Sequence, residues 1–160
     1  MKKYFSKDLI MLGINAESYH DVIYALSNLL YENGYVKLSF ASAVIEREEK
    51  FATGLPCEVC GIAIPHTDPI HVKKMAIAIG VLDKPIQFGM MGGQERIDVD
   101  LVFLLALKDC QSQILMLQKF AEFFQYEKEI QNIREATTRE TVLEIMKKNF
   151  YQNPKDWKTE

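Results

Sequence analysis

Two nearly continuous apolar runs constrain this chain more than anything else in it: MAIAIGVL at Met75–Leu82 and VDLVFLLAL at Val99–Leu107. Neither approaches the roughly 18 apolar residues of a membrane span, and the second is too short for most helices. A strand that is apolar on both faces must be covered on both faces, so each run predicts a core strand in a sheet layered between helices. In the first run large Ile77, Ile79 and Val81 alternate with small Ala76, Ala78 and Gly80. Helices are therefore expected to cover that strand closely.

The flanking segments supply the cover. Leu9–Ile14 is short and apolar and reads as a first strand, after which Ser18 with Asp21 three residues on resembles a capping box. Val22, Ile23, Leu26, Leu29 and Leu30 recur at helical spacing until Asn33 and Gly34 offer a left-handed stop. A second helix is predicted from about Ser39 to Phe51, with Phe40, Ala43, Val44 and Phe51 on its buried stripe and Arg47 on the same stripe. GLPCEVCG reads as a loop, and IAIPH as a short buried strand ending at Pro65. DKPIQFGMMGGQE reads as a glycine-containing excursion. Past the second apolar run a helix is signalled over Gln111–Tyr126 by Leu117, Phe120, Ala121 and Phe124, with Gln113 on the same face. Thr137 with Glu140 makes another capping box, opening a last helix whose inner edge is Val142, Leu143 and Met146. Alternating strands and helices without a repeat predict an α/β fold: a single domain over residues 1–150, with a mixed sheet of about four to five strands sandwiched between helices, and a polar tail at 151–160.

Charge and cysteine usage narrow the function. The 160 residues carry a formal charge of −3 with scattered basic residues, which excludes the concentrated basic face of a nucleic-acid binder. Cys57, Cys60 and Cys110 cannot all pair, so reduced thiols are expected. The opening MKKYFSKDLIMLGI has an apolar run broken by Lys7 and Asp8 and no small-residue cleavage site, so a cytoplasmic protein is expected.

The sharpest chemical feature is IAIPHTDP, which sets His66 directly after Pro65 at the end of a buried strand, where α/β sheets present functional groups. Pro65 fixes its own φ and drives Ile64 toward extended geometry, so the backbone delivering the imidazole is stiff. By position alone His66 can equally be an ordinary loop histidine. Arg47 on an apolar helix stripe must be paired, bind an anion, or snorkel at the edge.

Together, EREEKFATG at positions 46–54 and GIAIPHTD at 61–68, followed by VDLVFLLAL and the helix SQILMLQKFAEFF, resemble the enzyme IIA domain of the fructose–mannitol–galactitol class of the bacterial phosphotransferase system. That class pairs an Arg-Glu at a helix end with a Thr-Gly loop and an Ile-Pro-His strand exit, and the likeness runs from about Leu9 to Met146. It implies a phosphohistidine relay: HPr donates a phosphoryl group to His66, which passes it to a cysteine of a sugar-specific enzyme IIB, with the membrane component IIC engaged indirectly. It implies Nε2 as the nucleophile, Arg47 gripping phosphoryl oxygens, and the Thr53 hydroxyl and neighbouring backbone N–H groups reaching the same oxygens. No cofactor or metal is expected. Mannitol- and fructose-type members usually begin the helix after the last core strand with a second histidine. Gln113 stands at that place here and resembles the galactitol-type branch, which points to galactitol or a related polyol; the other reading makes Gln113 a helix-end residue only.

Three rival readings stay open. Cys57, Cys60, His66 and His71 are zinc-type ligands, but only five residues separate Cys60 from His66, and they are apolar strand. Cys57 and Cys60 have thiol–disulfide spacing, yet a strand follows them rather than a helix. The third rival is a IIA-like regulatory domain, whose phosphorylation state controls a partner without feeding transport.

Overall fold

The computed structural model describes residues 4–151, so the predicted polar tail lies almost wholly outside the described residues. Among these residues the strands β1 (Ile10–Ile14), β2 (Gly54–Pro56), β3 (Gly61–Ala63), β4 (Ala76–Gly89) and β5 (Arg96–Ala106) form one five-stranded sheet in the order β1-β4-β5-β3-β2. It is mixed: β1 and β4 are parallel, as are β3 and β5, whereas β4–β5 and β2–β3 are antiparallel. Helices α1 (Tyr19–Glu32) and α2 (Phe40–Lys50) cover one face; α3 (Cys110–Phe123), α4 (Glu127–Arg134) and α5 (Arg139–Phe150) pack with the core of the other. This is the expected α/β sandwich, and no described helix is long and apolar enough to cross a membrane.

The size alternation of β4 divides the two cores. Ile77, Ile79 and Val81 join Phe103, Phe120 and Phe150 on the α3/α5 side, where Phe120 lies 5.0 Å from Phe103 and 4.9 Å from Phe150, ring centre to ring centre. Ala76 and Ala78 face α1 and α2 with Val22, Leu26, Phe40 and Val44. Gly80 shows why small residues are needed: a Cβ there would lie 2.7 Å from Ile14 Cδ1 and 3.1 Å from Leu26 Cδ1. Burying one large side chain contributes about 1.5–3 kcal/mol, so the aromatic cluster and the close α1 contact carry much of the fold.

Local signals set the helix ends. Ser18 caps α1, its hydroxyl accepting the Asp21 N–H at 3.4 Å, while the Asp21 carboxylate accepts from Glu17 N–H rather than closing on Ser18. Beyond α1, Gly34 takes φ +81°, the left-handed stop that glycine permits.

Several elements differ from the sequence-based expectation. GLPCEVCG is not all loop: Gly54–Pro56 pairs with Gly61–Ala63 as a hairpin, leaving only residues 57–60 as its connection. DKPIQFGMMGGQE is mostly strand, because buried Ile86 and Phe88 alternate with exposed Gln87 and continue β4 past an irregularity at 82–85 that admits Pro85. The short α4 had no predicted counterpart, since Ile130 and Ile133 are its only buried anchors. On α3, Met116 and Phe123 are buried where Ala121 was expected and is exposed. The α5 cap is Thr138, one residue after Thr137, with its hydroxyl accepting from Thr141 N–H.

Candidate functional site

His66 leaves β3 on a backbone held from three directions. Ile64 N–H donates to Thr53 Oγ1 at 3.2 Å, Leu105 N–H of β5 donates to the Pro65 carbonyl at 3.0 Å, and Gln113 Nε2 of α3 donates to the Thr67 carbonyl at 2.8 Å. The chain segment that presents the imidazole is thus fixed by the α2–β2 connection, by the central sheet and by the opposite helical layer. Buried Ile62, Ala63, Ile64 and Pro65 anchor it from below.

The half-buried ring is oriented as well. His66 Nδ1 lies 2.9 Å from the Ile64 carbonyl, and because a carbonyl only accepts, the proton sits on Nδ1 and the Nε2 lone pair is free. Burial lowers the His66 pKa, against the raising effect of the Ile64 hydrogen bond and with a further push downward from Arg47. The imidazole is accordingly neutral at neutral pH, the state in which Nε2 is nucleophilic.

Arg47 supplies the cation. It is half-buried on α2, one helical turn from Ala43, with its guanidinium carbon 5.3 Å from the Phe51 ring centre. Phe51, expected on the buried stripe, is instead 63% exposed, because the helix ends at Lys50 and turns the ring outward over the arginine. Arg47 makes no ion pair among the described residues. With Phe51, Thr67, Asp68 and His71 it lines an open cavity of about 250 Å³. The charge of this unpaired guanidinium reaches the His66 imidazole.

Two other expected ligands are placed differently. The Thr53 hydroxyl is spent: buried, it donates to Glu48 Oε1 at 2.8 Å and accepts from Ile64 N–H, so it has no proton for a phosphoryl oxygen. Gln113 does point into the site, but one of its amide hydrogens is already on Thr67. Glu48, which drew attention only as part of the Arg-Glu pair, is 4% exposed and accepts from both the N–H and the hydroxyl of Thr53 at 2.8 Å. Burial pushes its carboxyl up to about 7, although both bonds from Thr53 pull it down. Its phase was visible: it continues Phe40 and Val44 at successive steps of four.

The rival constellations are not assembled. Cys60 is buried and Cys57 half-buried, and burial is the main cause raising both thiols above their ordinary pKa, the opposite of an activated redox pair. His71 directs Nδ1 to Ser39 Oγ at 2.8 Å, and among the described residues no group of three or more His, Cys, Asp or Glu side chains is spaced to hold a metal ion.

Known proteins resemble this chain in sequence and in fold. The chain is 32% identical over 138 residues to the transcriptional regulator ManR of Bacillus subtilis; the match covers 86% of this chain but only 20% of the regulator, so the chain spans about a fifth of that relative's length. It is 30% identical over 106 residues to the galactitol-specific EIIA component of Escherichia coli K12, covering 66% of this chain and 71% of that protein. The fold matches IIAMTL in its complex with phosphorylated enzyme IIBMTL from Escherichia coli, with a TM-score of 0.73 at 22% identity over 89% of this chain and 96% of the other. Residues 3–149 match the family model described as the phosphoenolpyruvate-dependent sugar phosphotransferase system, EIIA 2, and the chain belongs to that family.

Proposed function

We propose that this chain is a phosphoryl carrier: Nε2 of His66 takes a phosphoryl group from phospho-HPr and yields it to a cysteine thiolate of an enzyme IIB. In the first step the bond from phosphorus to the donor histidine breaks as the bond to Nε2 forms; in the second, that bond breaks as sulfur attacks. The observation that carries the reading is the Nδ1–H fixed on the Ile64 carbonyl, which leaves Nε2 free beside Arg47. Phosphoryl transfer is chiefly positioning and charge stabilisation. The three backbone anchors supply the first, and the planar guanidinium supplies the second by engaging two oxygens at once. The Gln113 amide keeps a second N–H for a third oxygen. Thr53 holds the strand rather than the phosphate. Exposed Phe51, which lines this cavity, offers apolar contact area for a protein partner.

Galactitol or a related polyol is the proposed cargo of the system, supported by the galactitol-specific relative and by the neutral amide at position 113. The chain then works in the cytoplasm and serves the membrane component IIC through IIB. The likeness to ManR over 86% of the chain favours one second reading, a regulatory domain read by a partner in its phosphorylated state. Incubation with enzyme I, HPr and phosphoenolpyruvate, followed by mapping of the acid-labile phosphate, tests the shared step: label is expected on His66 and on neither His20 nor His71, and labelling that persists in His66→Ala refutes it. Onward transfer to a galactitol-type IIB separates transport from regulation, as would neighbouring genes for polyol-specific IIB and IIC.

A further inference from the structure

Glu48 is a buried carboxylate without an ion pair among the described residues, and such a group is costly to keep. Its bonds lead to the site. The carboxylate accepts the N–H and the hydroxyl of Thr53, the Thr53 oxygen accepts the Ile64 N–H, and the Ile64 carbonyl accepts the His66 Nδ1–H. Four contacts of 2.8–3.2 Å thus run from α2 to the imidazole. Glu48 also follows Arg47 directly on α2, so the helix that points the guanidinium into the cavity is the helix from which this chain of bonds starts.

Three of these links have a fixed direction, because a backbone N–H only donates and a carbonyl only accepts; the link from the Thr53 hydroxyl is the one that an acceptor-only group decides. A carboxylate offers no proton, so the Thr53 hydroxyl must donate to it and turn a lone pair toward Ile64. An amide in the same place has one acceptor and one donor, and its NH₂ would displace the hydroxyl proton. Closing the 51–53 turn alone would need one acceptor; the second Glu48 oxygen is what fixes the hydroxyl. Tyr19 of α1 is the titratable side chain that feels the Glu48 charge; its phenol is raised chiefly by burial, then by Glu49, against Arg96, with Glu48 the smallest contribution.

We propose that Glu48 is a positioning residue for phosphoryl transfer, setting the His66 imidazole against the Arg47 guanidinium through the Thr53 hydroxyl. The inference rests on His66 being the phosphoryl acceptor. It does not rest on who the final recipient is.

The test combines rates of His66 phosphorylation by phospho-HPr, at a pH where Glu48 is ionised, with ¹⁵N NMR of the His66 tautomer in the unphosphorylated protein. Glu48→Gln and Thr53→Val are each expected to slow phosphorylation roughly tenfold or more, since small misplacements of reacting groups can cost up to about 10²-fold. Each is also expected to raise the Nε2–H share of His66. The double variant should be no slower than the slower single one, because both break the same path. Thr53→Ser, which keeps the hydroxyl, should recover most of what Thr53→Val loses. Wild-type rate and tautomer in Glu48→Gln, or single effects that multiply in the double variant, overturn the proposal. If Glu48→Gln does not fold, the Thr53→Val and Thr53→Ser pair reads the same link, and equal rates for the two overturn it. A wild-type protein that accepts no phosphoryl group refutes the reading of the site instead, and the tautomer measurement then decides the positioning claim by itself.

Discussion

Replacing Glu48 by Gln should remove a loss of stability that the wild type undergoes as pH rises, while making the protein a poorer phosphoryl acceptor. The carboxyl rises from an ordinary 4.5 to about 7 in the fold because burial disfavours its charge. A folded-state pKa above the unfolded one means that the folded state binds the proton more tightly, so stability is fully present below pH 4.5 and is lost as pH rises through about 7. At about 1.4 kcal/mol per tenfold change in proton affinity, the rise amounts to about 3 kcal/mol. Glutamine does not titrate and lacks this loss. Urea unfolding followed by circular dichroism at a series of pH values should show the difference between variant and wild type swinging by about 3 kcal/mol in favour of Gln between about pH 4.5 and 8. His66 contributes in the opposite sense, its lowered pKa giving stability that is present above 6.5 and lost as pH falls, and repeating the comparison in a His66→Ala background removes it from the difference. Parallel curves, with a constant offset across the range, would show that the Glu48 carboxyl is effectively solvated and refute the reasoning. A more stable but slower variant would also separate positioning from folding, as strained functional groups commonly do.

Arg47→Lys keeps the charge but not the planar fork, so phosphorylation should slow roughly tenfold or more; unchanged kinetics would assign Arg47 to packing against Phe51. Gln113→Ala should slow transfer modestly and leave the fold intact, while Gln113→His should stay active and acquire pH dependence; an earlier melt at the original rate would make Gln113 structural only. The wild-type rate of phosphoryl acceptance should bend twice with falling pH, once near 7 as Glu48 takes a proton and again below 6.5 as His66 loses its lone pair. Glu48→Gln should keep only the lower bend, and a wild-type profile flat through 7 would contradict this.

Most of the architecture was legible because apolar runs report burial directly. MAIAIGVL and VDLVFLLAL became β4 and β5, and the helical stripe from Val22 to Leu30 became α1. What composition hides is pairing. Gly54–Pro56 reads as a turn because glycine and proline are breakers, yet its backbone pairs with β3. Likewise Ile86 and Phe88 continue β4 through residues whose neighbours signal a loop. In the site, the strand-exit place of His66 and the place of Arg47 on its helix stripe were legible, while the role proposed for them came from the resemblance of the whole pattern and not from the Pro65 junction alone. The spacing put Glu48 in phase with buried Phe40 and Val44, but its bonds to Thr53, and with them the spent hydroxyl, were not legible, because they depend on the path of the turn that covers the helix end.

The group that orients His66 is the carbonyl of Ile64, two residues back along the same chain. Every amino acid supplies such a carbonyl, so no substitution at position 64 can delete it, and it never ionises. The preferred tautomer is therefore encoded in the path of the main chain and not in the alphabet of side chains. Sequence drift around the site can loosen that path without removing the acceptor. The vulnerable points are the places where the path is pinned: the Thr53 hydroxyl, the Leu105 amide and the Gln113 amide, each reaching in from a different part of the fold.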